Sequence, residues 1–426
     1  MRKRIVLTPR GSDGDVCPFV SIASALASRG HEVTVATAPV HQNKVERAGI
    51  RFARVRPDFP TPTGLYPEGL FDPKRSLEFF VRRILLPYLE DSYTDLLPPC
   101  RDADLIVSHP ISFAAPILAE QLRTPWVSIV LQPMLFFSTI DPPYIPTFSW
   151  LYPLRRFGTW PYAAVWRLQR AVLRRWAEPI HSLRRKLGLG SASGNPLMDY
   201  GQSPMCLGTL AAFSREFARE QPDWPQPTWL TGFVWPDSGR TLSRGLRDFL
   251  TKGAAPIVFT LGDSTARVPS EFFAWSLEAV RRLGCRAVFL TGSAAKPSLP
   301  ELPVEQVFVA EFEPYAQVFP HAAAVVLSGG IGSIGLALRA GRPMLVTPLF
   351  FDQTDNAHRV RRMGVARVLE LATYTAPAAC RELQQLLSNP GYAQQAERIG
   401  SRIAGENGVE TACRRIEALL ATRGSS

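Results

Sequence analysis

Short runs of consecutive apolar residues open the chain and recur along it. Residues 4–8 contain such a run, residues 32–38 are rich in valine and threonine, and between them the apolar positions of residues 19–28 repeat every three to four residues. Short segments rich in apolar and β-branched residues are typical of buried strands, and the repeat is typical of an amphipathic helix. The order strand, helix, strand predicts a βαβ unit and therefore a parallel sheet.

The same pattern continues through the first half of the chain and returns in the second half. Residues 105–108 and 126–131 are further predicted strands, and a predicted helix over residues 114–122 separates them. The second series has predicted strands at 257–261, 287–291, 307–310, 324–327 and 344–347 and predicted helices at 269–283, 334–340 and 353–363. We therefore predict an α/β protein with two Rossmann-like, doubly wound domains facing a cleft, with ligands at the carboxyl ends of the strands.

Chain length and proline content set the predicted domain boundaries. A chain of 426 residues is too long for one ordinary core. The proline-rich residues 222–240 are the predicted linker between an N-terminal domain, residues 1–221, and a C-terminal domain, residues 241–404. Residues 405–426 are predicted to form an amphipathic helix that could pack back on the N-terminal domain.

The charge and the cysteines narrow the class of partner and the compartment. A formal net charge of +11 suits anionic ligands or an anionic surface. The six cysteines are scattered without metal-site spacing, which favours a reducing, cytoplasmic setting over a disulfide framework or a zinc site. No stretch approaches the roughly 18–20 apolar residues of a membrane span.

A glycine-rich stretch is the strongest candidate for ligand binding. Residues 329–333, Gly-Gly-Ile-Gly-Ser, follow a predicted strand and open a predicted helix. Backbone N–H groups at such a helix start favour phosphate. Gly330, Gly332 and Gly335 also fit the dinucleotide pattern GxGxxG, with Asp352 downstream. A nucleotide-sugar phosphate, a dinucleotide and a tight turn without ligand are the three interpretations that this stretch leaves open.

A longer pattern around these glycines resembles the nucleotide-sugar-binding signature of family 1 glycosyltransferases, which have the GT-B fold. The matching residues are Gly329, Gly330, Gly332, Ser333, Ala340, Gly341, Pro343, Pro348, Asp352, Gln353, Asn356 and Ala357. The stretches 11–19, 223–227 and 231–233 are also similar to family segments, so the resemblance covers nearly the whole chain. Within the family, the chain is similar to bacterial rhamnosyltransferases of rhamnolipid synthesis.

The resemblance implies roles for particular residues of the C-terminal domain. It places the nucleotide pyrophosphate against Ser264, Ser328, Gly329, Gly330, Gly332 and Ser333. It places the nucleobase near Phe312 and Pro314, and sugar hydroxyls at Asp352 and Gln353. For Asp352 and Gln353, the alternative is that they only begin a helix.

The family also implies a histidine that donates to the pyrophosphate, at a position where this chain has Leu327. Leucine lacks a donor, so one charge-assisted hydrogen bond of roughly 1.5–3 kcal/mol is missing. Ser328 or a nearby arginine could replace it, the donor could bind weakly, or the chain could be poorly active. We therefore expect Leu327→His to tighten nucleotide binding if the missing donor matters.

The resemblance further implies a general base at Asp15, in the glycine turn after the first predicted strand. Such a base takes the acceptor proton during glycosyl transfer. Asp13 is the alternative base, and capping of the next helix is the structural alternative for either carboxylate. His109, at the end of the strand over residues 105–108, is a second candidate catalytic residue that we expect near Asp15.

Aromatic residues point to the acceptor. Phe136, Phe137 and Tyr144 lie in the proline-rich stretch 133–153 and are the predicted lining of an apolar acceptor pocket. In residues 150–187, tryptophans alternate with arginines. A helical layer with a solvated basic side is the plainest interpretation, peripheral contact with the inner membrane face is the second, and nucleic-acid binding is the least expected.

These expectations combine into one predicted function. The chain is expected to be an inverting glycosyltransferase that needs no metal and no cofactor beyond a dTDP- or UDP-linked sugar, with rhamnose favoured by the resemblance. The DxD pattern at residues 102–104 is interpreted as a solvated turn, since the family resembled is metal-independent. A non-catalytic nucleotide-sugar-binding or auxiliary protein and a nicotinamide-dependent oxidoreductase are the alternatives.

Overall fold

The chain divides into two compact units. The computed structural model describes residues 2–59, 76–203, 205–235, 239–262, 271–292 and 305–423. The first unit comprises Met1–Pro236 together with Asn407–Ser426, and the second comprises Asp237–Glu406. The C-terminal residues of the chain thus belong to the same unit as its N-terminus.

A seven-stranded parallel sheet forms the centre of the first unit. Its strands are β1 Arg4–Thr8, β2 Glu32–Thr37, β3 Arg51–Arg54, β4 Leu105–Ser108, β5 Trp126–Val130, β6 Cys206–Ala211 and β7 Thr228–Leu230. Their spatial order is β3-β2-β1-β4-β5-β6-β7. From β1 the chain builds the sheet in one direction and then returns to add β4 on the other side of β1. The carboxyl ends of β1 and β4 therefore form a topological switch point, where ligands bind in such sheets.

A six-stranded parallel sheet forms the centre of the second unit. Its strands are β8 Ile257–Thr260, β9 Ala287–Leu290, β10 Val307–Ala310, β11 Ala324–Leu327, β12 Met344–Val346 and β13 Ala366–Val368. Their order is β10-β9-β8-β11-β12-β13, which sets the switch point between β8 and β11. The two parallel sheets confirm the predicted α/β fold class of two doubly wound domains.

Helices cover both sheets and explain why the strands are apolar runs rather than alternating ones. The α-helices are α1 Asp13–Ser28, α2 Gln42–Arg47, α3 Ser76–Phe79, α4 Leu89–Cys100, α5 Ala114–Leu122, α6 Trp160–Trp176, α7 Glu178–Lys186, α8 Arg244–Leu250, α9 Glu271–Leu283, α10 Tyr315–Val318, α11 Ile331–Arg339, α12 Gln353–Arg362, α13 Ala376–Ser388, α14 Pro390–Ile403 and α15 Gly408–Arg423. Shorter 3-10 helices include Pro133–Phe136 and Pro146–Phe157. Across the described ranges, no helix combines the length and the apolar content that crossing a membrane requires.

The last helix, α15, packs on α1 within the first unit. The Arg29 guanidinium pairs with Glu417 at 2.6 Å and also with Glu410. The backbone at Gly408 lies against the backbone of Phe233, since a Cβ at Gly408 would stand 2.3 Å from the Phe233 carbonyl oxygen. This helix is the one predicted over residues 405–426.

Helix α1 and the predicted linker are among the elements that differ from the sequence prediction, each for a local reason. Helix α1 begins at Asp13 rather than at Phe19, because Ser12 and Asp15 form a capping pair that starts the helix ahead of Pro18. The predicted linker over residues 222–240 contains β7, an edge strand that pairs with β6 in the first unit. Proline-rich sequence concealed this strand, since prolines are tolerated next to an edge strand.

Candidate functional site

Asp15 lies at the switch point of the first sheet, in the first turn of α1. Its Oδ2 accepts hydrogen bonds from the backbone N–H of Ser12 at 2.9 Å and from the Ser12 hydroxyl at 3.2 Å. Its Oδ1 accepts from Nε2 of Gln132 at 3.1 Å. Asp15 thus caps α1 and at the same time presents a half-buried carboxylate at the carboxyl edge of the sheet. The capping role and the predicted role as base are compatible.

Gly11 makes room for this carboxylate. Its φ of +120° is one that side chains rarely allow. A Cβ at this position would stand 2.2 Å from Oδ2 of Asp15. The position of the Asp15 carboxylate therefore depends on glycine at residue 11.

Asp13, the alternative base, is committed to other partners. Its Oδ1 lies 3.1 Å from Nδ1 of His41 and also pairs with the ammonium of Lys44. Burial alone would raise the pKa of Asp13, but the His41 hydrogen bond and the Lys44 charge outweigh it and hold that pKa well below its usual range. The ring of His41 is fixed in turn, with Nε2 3.1 Å from the carbonyl oxygen of Gly11. Asp13 is thus a structural anion of the loop, which leaves Asp15 as the better candidate.

His109 follows β4 directly, on the other side of the switch point. Its backbone N–H donates to the carbonyl oxygen of Thr8 at 3.4 Å, so it adjoins the end of β1. Nδ1 accepts from the backbone N–H of Ile111 at 3.4 Å, which leaves the proton on Nε2. Burial lowers the pKa of His109 to about 4, although the charge of Asp15 opposes the shift. His109 is therefore a neutral ring near physiological pH.

The Nε2 atom of His109 is buried and has no hydrogen-bond partner among the described residues. A buried donor without a partner is uncommon and costs free energy. Such a group at a switch point marks a place where a ligand could supply the missing acceptor. Asp15 and His109 are brought to the same edge of the sheet, as expected from the sequence; their catalytic roles remain predictions.

The three predicted acceptor residues, Phe136, Phe137 and Tyr144, each contact a different aromatic ring. Each ring has its own aromatic partner: Phe136 stacks on Trp224 with ring centres 4.2 Å apart, Phe137 meets Trp166 edge-on at 5.7 Å, and Tyr144 meets Tyr152 at 5.5 Å. Phe136 is also buried to 6% exposure. It contributes to the core, whereas Phe137 and Tyr144 are only half-buried.

The glycine stretch lies at the switch point of the second sheet, between β11 and α11. The Ser328 hydroxyl donates to the carbonyl oxygen of Leu261 at 3.2 Å, which joins the end of β11 to the end of β8. Gly329 has φ +95°, and a Cβ there would stand 3.0 Å from both Val346 Cγ1 and the Gln353 carbonyl oxygen. A side chain at residue 329 would thus disturb this turn. Ser264, also predicted here, lies outside the described residues.

The start of α11 is open to a ligand. Gly330 caps the helix without a side-chain hydrogen bond, and Gly332 is exposed with space around its α-carbon. The Ser333 hydroxyl donates to the carbonyl oxygen of Gly330 at 2.9 Å and so stays beside these amides. The first amides of an α-helix lack partners within the helix and attract anions, so this geometry suits a phosphate group.

Asn356 ties this turn to the start of α12. Its Nδ2 donates to the carbonyl oxygen of Gly329 at 3.0 Å and to Oδ2 of Asp352 at 2.7 Å. Asp352 is half-buried at the N-cap of α12, whereas Gln353 is buried and its Oε1 accepts from the backbone N–H of Leu349 at 3.0 Å. The two predicted sugar-binding residues therefore differ: Asp352 is half-buried beside the glycine turn, and Gln353 anchors the preceding loop.

Phe312 and Pro314 lie beyond the end of β10, the edge strand of the second sheet. Phe312 is 51% exposed, and the Arg240 guanidinium lies 5.2 Å from its ring centre. Pro314 is buried and begins α10. An exposed ring of this kind can stack on a nucleobase, so the structure leaves Phe312 available for its predicted role.

Leu327, where the resemblance implies a histidine, directly precedes the glycine turn. It is the last residue of β11 and is fully buried. Its carbonyl oxygen accepts from the backbone N–H of Thr347, the residue directly after the neighbouring strand β12, at 2.8 Å. The effect of Leu327→His on nucleotide binding stays a prediction, and its test must allow for the burial of this position. Ser328 is the first side chain beyond the strand.

The DxD pattern lies at the opposite edge of the first sheet. Asp104 precedes β4, and its carboxylate accepts from the backbone N–H of Arg4 at 2.8 Å and pairs with Lys3 at 3.1 Å. Asp102 pairs with Arg4 at 3.4 Å. Both carboxylates thus belong to surface ion pairs at the amino ends of the strands. Within the described ranges, no group of three His, Cys, Asp or Glu side chains could hold a metal ion.

Sequence reasoning missed Gln132, His41 and Lys44. Gln132 is only 7% exposed and lies two residues beyond β5. It is the first polar side chain after a buried strand, which is the same signal that selected His109. His41 and Lys44 carry no such signal, because the folded chain alone brings them next to Asp13, which is about 30 residues away in sequence.

Two known families match the chain, one in each half. Residues 5–133 match the family described as "Glycosyltransferase family 28 N-terminal domain". Residues 274–419 match the family described as "Erythromycin biosynthesis protein CIII-like, C-terminal domain". The first match contains Asp15, His109 and Gln132, and the second contains the glycine turn and Asp352.

Known relatives extend the likeness over almost the whole chain. An O-mycaminosyltylonolide 6-deoxyallosyltransferase of Streptomyces fradiae is 29% identical over 445 residues, which cover 99% of this chain and 98% of the relative. A sterol 3-beta-glucosyltransferase of Pichia angusta is 25% identical over 96% of this chain, which spans about a third of that longer protein (33%). Among solved structures, the spinosyn rhamnosyltransferase SpnG complexed with thymidine diphosphate has a TM-score of 0.71 at 18% identity, covering 98% of this chain and 100% of that one.

The two doubly wound units and these matches define the class of the protein as a glycosyltransferase with the GT-B fold. The chain resembles the family 1 glycosyltransferases over almost its whole length, with their signature in residues 329–357. The predicted family and the prediction of an enzyme are confirmed.

Proposed function

We propose that this glycosyltransferase moves a deoxyhexose, such as rhamnose, from a dTDP- or UDP-linked donor to a hydroxyl of a hydrophobic acceptor, with inversion and without a metal ion. The relatives support the substrate classes. One acts on a tylonolide derivative, one acts on a sterol, and one solved structure contains thymidine diphosphate. We place the reaction in the cytoplasm, with the enzyme in peripheral contact with the membrane that would hold a lipid-like acceptor.

One observation carries the proposal: each unit has a candidate binding site at the switch point of its sheet. The first has the Asp15 carboxylate with its supporting hydrogen bonds, beside the buried donor of His109. The second has the open start of α11, beside Asp352. A carboxylate suits proton abstraction, and a helix start suits a diphosphate.

The reaction follows from these two groups. The carboxylate of Asp15 takes the proton of the acceptor hydroxyl. The acceptor oxygen forms a bond to the anomeric carbon as the bond from that carbon to the diphosphate oxygen breaks. The electron pair of the broken bond leaves with the nucleoside diphosphate, whose charge the amides of α11 stabilise. Attack opposite to the leaving group inverts the anomeric carbon.

Nucleotide binding and turnover test the proposal separately. Thermal unfolding is measured with dTDP, UDP and NAD, and turnover is measured as release of nucleoside diphosphate from dTDP-rhamnose or a UDP-sugar with sterol and macrolide acceptors. We expect dTDP or UDP to raise the melting temperature and NAD to leave it unchanged. NMR of the product is expected to show the inverted anomer.

Asp15→Asn provides the matched variant, with Asp13→Asn as its control. The amide oxygen that Asp15→Asn introduces can still accept from the N–H of Ser12, so the helix cap should persist. The rise in melting temperature with dTDP or UDP should also persist, while turnover falls roughly 10²–10⁴-fold. Asp13→Asn should cost stability but retain most turnover, since Asp13 is held by Lys44. A shift with NAD alone, or equal turnover by Asp15→Asn and the unmodified enzyme, would contradict the proposal.

A further inference from the structure

Helix α6 exposes large apolar side chains along one side. Trp160 is 67% exposed, Leu168 is 68% exposed and Val172 is 50% exposed. Residues four apart are neighbours on a helix surface, so residues 160, 164, 168 and 172 form one row. The row and the arginines around it are called the α6 face: Trp160, Ala164, Arg167, Leu168, Val172, Arg174 and Arg175.

The other side of α6 is fixed in the core of the first unit. Tyr162, Trp166 and Leu173 are buried together in one cluster. The indole Nε1–H of Trp166 donates to the carbonyl oxygen of Ser138 at 3.2 Å. This anchorage sets the rotation of the helix, so the α6 face points away from the unit as a consequence of its packing.

The α6 face carries positive charge without compensation. Residues 160–176 contain four arginines and no acidic residue. Arg170 pairs with Asp199 at 3.0 Å. Across the part of the chain that the structure describes, Arg167, Arg174 and Arg175 enter no ion pair, and all three are exposed. Arg167 and Arg174 line one open groove together with Trp160.

The segment before α6 adds to the same character. In Pro146–Phe157, Trp150 is 64% exposed and Phe157 is 55% exposed. The guanidinium of Arg156 lies 4.8 Å from the ring centre of Phe157. This segment packs against α6 through Leu151, which is buried in the cluster of Trp166. A continuous stretch of chain thus combines exposed indole and phenyl rings with exposed guanidinium groups.

We propose that the α6 face docks on a bilayer surface that contains anionic lipids. Tryptophan is favoured at the boundary between headgroups and acyl chains, and basic residues on an amphipathic helix are attracted to anionic headgroups. Leu168 and Val172 distinguish lipid from nucleic acid, because aliphatic side chains can enter the acyl region but offer bases no stacking surface. The docking proposal depends only on the α6 face and does not depend on which sugar the enzyme transfers.

Vesicle flotation tests the proposal on the full chain. The protein is mixed with vesicles of phosphatidylcholine alone or of phosphatidylcholine with phosphatidylglycerol, and a single-stranded oligonucleotide is titrated in a separate assay. We expect binding to the anionic vesicles only, decreasing with salt. Each arginine near an anionic surface contributes roughly fivefold in affinity, so Arg167→Glu with Arg174→Glu and Arg175→Glu should weaken binding by more than about 100-fold.

Two further variants separate the contribution of net charge from that of the apolar side chains. Arg101→Glu with Arg219→Glu and Arg398→Glu makes the same change in net charge at exposed arginines that are not part of the α6 face, and should reduce binding far less. Leu168→Ser with Val172→Ser keeps every charge and should weaken the binding that remains at high salt. Circular dichroism of each variant establishes that it is folded.

Some outcomes would overturn the proposal. Equal loss of binding in the two triple variants would mean that only the net charge matters. Absence of binding to anionic vesicles would remove the docking surface. Binding of the oligonucleotide without binding of vesicles would assign the α6 face to nucleic acid instead.

Discussion

The Nε2 group of Gln132 donates a hydrogen bond of 3.1 Å to Oδ1 of Asp15, across 117 residues of sequence. The same carboxylate holds the N–H of Ser12 through its other oxygen. Both of its oxygens are therefore engaged, which fixes the plane of the carboxylate at the edge of the sheet. A base held in this way does not have to reorganise when it takes a proton.

Replacement of this amide should act on turnover and not on donor binding. In Gln132→Ala, the Asp15 carboxylate loses the donor to Oδ1 and can rotate, so we expect kcat to fall about tenfold, as typical for loss of one hydrogen bond to a charged group. The thermal shift with dTDP or UDP should be unchanged. Steady-state kinetics with a soluble acceptor measures the first quantity. Gln42→Ala, which removes an exposed amide that donates to Glu46, is the control; a loss of kcat equal to that of the control would contradict the prediction.

The glycine at residue 11 can be tested against a glycine of similar conformation. Gly11 and Gly30 both have positive φ, but only Gly11 faces an atom that a Cβ would strike, the Oδ2 of Asp15. We expect Gly11→Ala and Gly30→Ala each to lose roughly 1–3 kcal/mol of unfolding free energy through backbone strain. Gly11→Ala alone should lower turnover, on the order of 100-fold, because the carboxylate is displaced. Chemical denaturation and kinetics on both variants check this; equal activity of the two would show that the contact has no consequence.

His109 should make the folded state sensitive to acid. Its pKa in the folded protein is about 4 because of burial, and an unfolded histidine titrates near about 6.5. The unfolded chain therefore binds more protons between these values, so stability is lost as the pH falls through this window. Protonation of His109 is expected to lower the free energy of unfolding by about 3 kcal/mol between about pH 7 and pH 4.

His109→Gln removes that contribution while keeping a side-chain N–H donor. Urea unfolding at several pH values should show a smaller decrease in stability for the variant than for the unmodified protein. His321→Gln, at an exposed histidine of the second unit, controls for loss of an imidazole elsewhere. Parallel pH profiles for His109→Gln and the unmodified protein would refute the prediction.

Asn356 should matter for the nucleotide through the turn that it holds. Asn356→Ala removes the donor to Gly329 and to Asp352, and leaves a buried carbonyl oxygen at Gly329 without that partner. We expect roughly 1–3 kcal/mol lower stability and a weaker nucleotide shift, because the glycine turn relaxes. Asn389→Ala loses the cap of α14, where Asn389 accepts from the N–H of Gly391 at 3.0 Å. Asn389→Ala should lose stability but keep the rise in melting temperature with dTDP. Thermal unfolding with and without dTDP compares the two variants.

Most strand positions could be predicted because they depend on local pattern. The strands over residues 105–108, 307–310 and 324–327 have the predicted bounds, since apolar runs bounded by charged or polar residues mark buried parallel strands. Strands β3, β6, β7 and β13 were not predicted, and for the edge strands β3 and β7 the reason is local. Arg51–Arg54 alternates and Thr228–Leu230 is short and follows prolines, so neither resembles a buried run.

Some features of the candidate site could likewise be expected from the sequence, and others could not. Asp15, His109, Ser328 and Asp352 follow or flank predicted strands, so their place at a sheet edge could be expected from the sequence. Leu327 could not be judged from its neighbours alone, because burial of a strand end depends on what covers the sheet. The pairing of each acceptor-loop ring with a different aromatic partner was equally hidden, since those partners are remote in sequence.

The sequence by itself determined the alternation of strands and helices, the glycine turn and the family. Each of these rests on residues within a few positions of one another, where periodicity and turn chemistry act. Only the tertiary structure decided that Gln132 supports Asp15, that burial keeps His109 neutral, and that α6 faces outward with three arginines in no ion pair in the described part of the chain. These features depend on the order of strands in the sheet and on the rotation of packed helices, which are fixed by contacts between distant segments.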